Sequence, residues 1–177
     1  MTQHAYGSSR SDPLDPLAPL EGTSDVPTAA LSDRARPLPR ISIQAFCETP
    51  ALAEILQAAS EDRRLSKTHL TIQMGGAAAA VAHYQESPTP NLIILESQRP
   101  HAVLIEELDE LAQSCDPGTK VVIVGQTNDV MLYRDLMRRG VSEYLVMPVT
   151  PFELMECLSG LYNNPATDPV GQVFAFM

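Results

Sequence analysis

The seven residues Asn91-Leu92-Ile93-Ile94-Leu95-Glu96-Ser97 constrain the fold more than any other stretch. They form an apolar run opened by the turn segment Ser87-Pro88-Thr89-Pro90 and closed by a carboxylate. A run that is apolar at every position, instead of at alternate ones, reads as a strand buried on both faces. Such a strand lies inside a parallel sheet with helices above and below. Lys120 to Val124 repeats the pattern. In open sheets of this kind the working site lies just beyond the carboxyl ends of the strands. Glu96 stands there.

The rest of the chain supplies the layers. Ile41 to Phe46 is a short strand, followed by Thr49-Pro50, a helix N-cap with Pro at the first helical position. Leu52, Ile55, Leu56 and Ala59 continue at helical spacing. His69 to Met74 is a second strand, ended by a Gly75-Gly76 turn, and Ala77 to Gln85 a short helix. A helix over 102–115 carries Leu104, Leu108, Leu111 and Cys115 on one face and Glu106, Glu107, Asp109 and Glu110 on the other. Asp129 to Arg139 is a fourth helix, with Gly140 as its left-handed terminus. Glu143 to Met147 is a fifth strand. Thr150-Pro151-Phe152-Glu153 then opens a final helix with a capping box. Five strand–helix pairs with short connections predict a doubly wound, three-layer α/β domain over residues 41–162. The strand order 2-1-3-4-5 puts the two most apolar strands inside.

Residues 1–40 carry six of the fifteen prolines and one aromatic, Tyr6, and are expected to be a disordered Pro-rich tail. Residues 163–177 read as a linker leading into a fresh strand, Gly171 to Met177. The net charge of −10 argues against nucleic acid and against an anionic membrane surface. No apolar run approaches a membrane span, and no apolar signal core opens the chain, which predicts a cytoplasmic protein without direct membrane insertion. Cys47, Cys115 and Cys157 lack metal-ligand spacing and read as reduced, mostly buried thiols. His69, His83 and His101 show no metal or triad spacing, so neither a metal nor another cofactor is expected.

Over about residues 41–161 the sequence resembles the response-regulator receiver family, a CheY-like, flavodoxin-like fold. Asn91 to Glu96 is similar to the strand that ends in the phosphoacceptor aspartate. Gly140-Val141-Ser142-Glu143-Tyr144-Leu145-Val146-Met147-Pro148-Val149 is similar to the fifth strand and its Lys-Pro end. The resemblance implies four working parts: an acceptor Asp, an acidic pair for a divalent cation, a hydroxyl after the fourth strand and a Lys before the Pro. The chemistry demands them, because a phosphoryl group must be neutralised and held in line. Here the acceptor position is Glu96, the acidic pair is Cys47-Glu48, the hydroxyl position is Gly125 and the Lys position is Met147. One carboxylate is a poor magnesium site. The phosphorylation site is therefore expected to be absent and the domain non-catalytic. Glu96 is then either a hydrogen-bonded carboxylate without a role or a permanent mimic of the phosphorylated state; the missing Lys and hydroxyl weigh against the mimic. Tyr144 occupies the family's switch-aromatic position and reads as packing. Arg134, Arg138 and Arg139 form a basic patch that reads either as a solvated face or as an interaction surface for the acidic face of the 102–115 helix or for a partner.

The Pro-rich leader, the receiver without its Asp and the strand after Pro165 together resemble the CpaE/TadZ-type pilus assembly proteins. Those join a degenerate (pseudo) receiver to an ATPase of the ParA/MinD kind. The resemblance implies a targeting and interaction module that acts at the cell pole in assembly of Flp-type (tight adherence) pili; Arg134, Arg138 and the neighbouring apolar residues predict a homodimer through the fourth and fifth helices. Its partners would be the pilus assembly and secretion machinery or a polar landmark. Residues 163–177 would lead into the ATPase, and no phosphate loop lies in this chain. Two other readings stay open: a signalling receiver that accepts phosphate by unusual chemistry, and a flavodoxin-like binder of a small ligand.

Overall fold

The computed structural model describes residues 37–163; the predicted disordered segment lies mostly, and the predicted strand 171–177 wholly, outside them. Strands β1 (Ser42–Cys47), β2 (His69–Met74), β3 (Leu92–Glu96), β4 (Lys120–Gly125) and β5 (Glu143–Val146) alternate with helices α1 (Pro50–Ser60), α2 (Gly76–Tyr84), α3 (His101–Ser114), α4 (Val130–Arg138) and α5 (Pro151–Asn163). All four strand pairings are parallel, in the order β2-β1-β3-β4-β5. The fold is the doubly wound α/β arrangement that the sequence predicts.

The continuous apolar run of β3 has the predicted cause. Leu92 and Ile94 pack into the core under α1 and α5, whereas Ile93 and Leu95 pack under α2, α3 and α4. All four are fully buried, and each such burial contributes about 1.5–3 kcal/mol. β4 splits likewise, with Val122 and Val124 on one face and Ile123 on the other.

The helix boundaries follow local chemistry. The Thr49 hydroxyl accepts from the Leu52 N–H (3.4 Å) at the start of α1, with Pro50 as the first helical residue. Asp129 caps α4 by accepting from Met131 and Leu132. The capping box of α5 is reciprocal: Glu153 accepts from the Thr150 N–H (2.8 Å), and the Thr150 hydroxyl accepts from the Glu153 N–H (3.2 Å). Gly140 ends α4 in the left-handed region, at φ +86°.

Two features depart from the sequence reading. A 3₁₀ turn at Arg63–Leu65 follows α1, where side-chain periodicity is too short to signal it. Packing also reaches upstream of Ile41. Leu38 is buried in the α1/α5 core and its N–H donates to the Arg64 carbonyl (2.9 Å). The prolines at 37 and 39 hide it, because a single apolar residue between prolines carries no period.

Candidate functional site

The carboxyl ends of β1, β3, β4 and β5 bring Cys47, Glu48, Glu96, Gly125 and Met147 to one end of the sheet. Glu96, at the acceptor position, is 2% exposed. It points into the β1–α1 loop. Its Oε2 accepts from the backbone N–H groups of Glu48 and Thr49, both at 2.8 Å, and its Oε1 accepts from the Thr49 hydroxyl at 2.6 Å. Burial of a carboxylate is costly unless its oxygens find donors, and charge-assisted bonds of this length are the strong ones. The side chain is thus an internal strut between β3 and the start of α1.

Cys47 is fully buried among the α1/α5 core residues. Burial, helped by the charge of Glu96, pushes its thiol up to about 11, so it is neutral at physiological pH. Glu48 Oε2 accepts from the Gln98 N–H (2.9 Å), and its side chain lies against Gly76. That approach needs a glycine, since a Cβ at 76 would come within 2.6 Å of Glu48 Oε1 and the backbone there is left-handed (φ +61°). These residues do not fit a divalent cation. Cys47 offers a protonated thiol, and both oxygens of Glu96 are bound by donors of the loop. Among the described residues no cluster of His, Cys, Asp and Glu has metal-ligand geometry.

Gly125 and Tyr144 are matched. A Cβ at 125 would fall 2.8–2.9 Å from ring atoms Cε2 and Cζ of Tyr144. The ring occupies the space that a side chain at 125 would need. Tyr144 is buried and its hydroxyl donates to the Thr127 carbonyl (2.8 Å), which fixes the ring inward. Met147 packs against the α1/α5 core and its N–H donates to the Gly125 carbonyl (2.8 Å); the Met147–Pro148 peptide is cis.

The arginines divide. Arg139 Nε donates to Asp109 of α3 (2.9 Å), so it closes the domain internally, as does the His101–Asp135 pair (3.3 Å) between α3 and α4. Arg138 reaches Asp135 of its own helix (3.4 Å) but stays 73% exposed. Arg134 is exposed, beside exposed Val130, Met131 and Tyr133. His83 is absorbed by the sheet, where it meets Gln44 (3.2 Å), which also accepts from the Tyr84 hydroxyl (2.6 Å).

Sequence reasoning assigned Thr49 to helix capping alone. Its hydroxyl serves two partners, donating to Glu96 and accepting from Leu52. Its position directly after Cys47-Glu48, at the end of β1, was the available signal.

No protein-family model matches the sequence, and no curated protein matches it. Solved structures do match. A pilus assembly protein CpaE from Caulobacter crescentus is 50% identical, with a TM-score of 0.70 and an alignment that covers 72% of this chain and 97% of that one. This chain belongs to the CpaE family of pilus assembly proteins. A putative CpaE2 pilus assembly protein from Sinorhizobium meliloti is 36% identical (TM-score 0.67), covering 68% of this chain and 99% of that one. The chemotaxis response regulator CheY4 of Vibrio cholerae aligns over 70% of this chain and 99% of its own at 15% identity and TM-score 0.56, a likeness of fold alone. The CpaE-family domain is therefore receiver-like in architecture. No helix among its described residues is long and apolar enough to cross a membrane.

Proposed function

We propose that this domain acts in pilus assembly as a non-catalytic module that binds proteins through its surface and works without aspartyl phosphorylation. The buried carboxylate of Glu96 carries the reading. Both of its oxygens hold the β1–α1 loop, so neither is presented to solvent as a nucleophile. The neutral thiol at 47, the glycine at 125 and the thioether at 147 support it, since none of them neutralises a phosphoryl oxygen. The acting surface would be α4, where Val130, Met131, Tyr133, Arg134 and Arg138 face solvent, together with α5. Single-point exposure of an apolar side chain is ordinary, but three within four residues, followed by arginines at 134 and 138, suit a protein contact. We assign to this face a homodimer contact. Its binding partners would be components of the pilus machinery that hold the protein at the cell pole. Residues 163–177 would connect it to an ATPase domain.

The test is chemical. The full chain is incubated with acetyl phosphate and magnesium and its intact mass is measured. An unmodified mass is expected; a phosphoryl adduct that disappears in Glu96→Gln would overturn the reading. Light scattering at high micromolar concentration should give a dimer that Tyr133→Glu dissociates, and a monomer would remove the homodimer from the proposal.

A further inference from the structure

At the opposite end of the sheet, between the starts of β1 and β2, lies an open depression of about 480 Å³. Its lining is Arg40, Ile41 and Ser42 on one side and Ser66 to His69 on the other. The volume falls within the range of about 300–1,000 Å³ common to small-ligand sites. Its charge is unusual for this molecule. Residues 37–163 hold sixteen acidic and nine basic side chains, yet the ionisable groups around the depression are Arg40, Lys67 and His69, with no carboxylate.

The charges of Arg40 and Lys67 are not consumed within the domain. Arg40 and Lys67 are exposed, and neither forms an ion pair among the described residues. Asp62, in the turn before the depression, is engaged by Arg64, at 2.9 Å. Arg64 also faces Glu156 at 3.6 Å. Arg63, exposed on the same turn, adds a further positive charge nearby. Of the hydroxyls, Thr68 is bound to the Leu65 carbonyl and Ser42 to Asn91. Like charges gathered without counter-charges repel one another, and the field they focus attracts a multiply charged anion. A guanidinium fork opposite an ammonium suits a tetrahedral phosphate better than a single carboxylate, because three oxygens can be shared among the donors.

We infer that this depression is an anion site for a phosphate-bearing ligand, held between Arg40 on the segment entering β1 and Lys67 and His69 at the start of β2. The site is separate from the carboxyl-end positions and independent of the function proposed above. Because Leu38 docks only two residues before Arg40, a bound anion would also tie the entering segment to the domain.

The phosphate group has two possible sources, a soluble ester or a lipid headgroup, and the experiment separates them. The full, isotope-labelled chain is titrated with inorganic pyrophosphate, and separately sedimented with phosphatidylglycerol or phosphatidylcholine vesicles. Saturable amide shifts centred on Arg40, Lys67 and His69, weakened about tenfold by Arg40→Gln/Lys67→Gln and weakened by added salt, are the expected result. Both replaced side chains are exposed, so the double variant should keep the parent melting temperature. Sedimentation with phosphatidylglycerol alone, lost in the same variant, would assign the headgroup as the source; pyrophosphate shifts without sedimentation would assign a soluble ligand. Absence of shifts and of sedimentation, or pyrophosphate binding that the double variant leaves unchanged, overturns the inference.

Discussion

Replacing Glu96 by alanine removes an acceptor from three donors at once: the N–H groups of Glu48 and Thr49 and the Thr49 hydroxyl. The hydroxyl can rotate to another acceptor, but the two N–H groups are fixed by the loop. A buried donor left without its partner costs about 1–3 kcal/mol, and water entering the vacated space recovers part of that. The expected loss is about 3 kcal/mol in total. For a domain spanning residues 37–163, the entropy of unfolding near the midpoint is about 0.27 kcal/mol/K, so the melting temperature should fall by about 11 °C. Glu96→Gln separates charge from geometry. Its carbonyl oxygen can still accept both N–H bonds, and its amide can face the Thr49 oxygen. Only charge assistance is lost, which corresponds to about 1 kcal/mol, or about 4 °C. Calorimetry on the parent and the two variants measures both effects. If the alanine variant melts within about 2 °C of the parent, the carboxylate is not a strut and the reasoning fails.

Three other outcomes are expected. Gly125→Ser restores a side chain at the hydroxyl position but meets the Tyr144 ring, so it should cost about 1–3 kcal/mol and change tyrosine fluorescence; an unaltered melting temperature would contradict the packing. A chain beginning at Ile41 should melt well below one beginning at Pro37, because loss of the buried Leu38 side chain costs about 2–5 kcal/mol; equal melting would place the domain boundary after Arg40. Glu107 has a buried oxygen without a partner among the described residues, and burial holds its carboxyl above its ordinary value. The folded state thus takes up this proton at higher pH than the unfolded state, so the Glu107 contribution to stability rises as pH falls through the raised value. Glu107→Gln should stabilise the domain at pH 7 and flatten this part of the stability–pH profile; destabilisation at pH 7 would refute it.

Much of this was legible because the signals are periodic. Apolar residues at consecutive positions within β3 and β4 required two covered faces, and the cores on either side of the sheet meet that requirement. Caps at Thr49 and Thr150 marked helix starts within a residue, since each satisfies backbone donors at the first turn. The positions at the strand ends could also be numbered from the sequence. What those side chains do there could not. Glu96 turning onto the β1–α1 loop depends on donors 47 and 48 residues earlier in the chain, and no local pattern records that pairing. The Tyr144–Gly125 contact is likewise a cross-strand fact, visible only once β4 and β5 are in register. Arg139 looked like part of an open basic patch because its partner, Asp109, lies thirty residues away on a neighbouring helix.

The central claim is that the carboxyl end of this sheet does not receive a phosphoryl group. Titration of the domain with magnesium and beryllofluoride, followed by amide chemical shifts, tests it most directly. The account predicts no saturable change at Glu48, Glu96, Gly125 and Met147. Saturable shifts at those four residues, accompanied by movement of Tyr144, would contradict it and make the domain a phosphate-responsive switch.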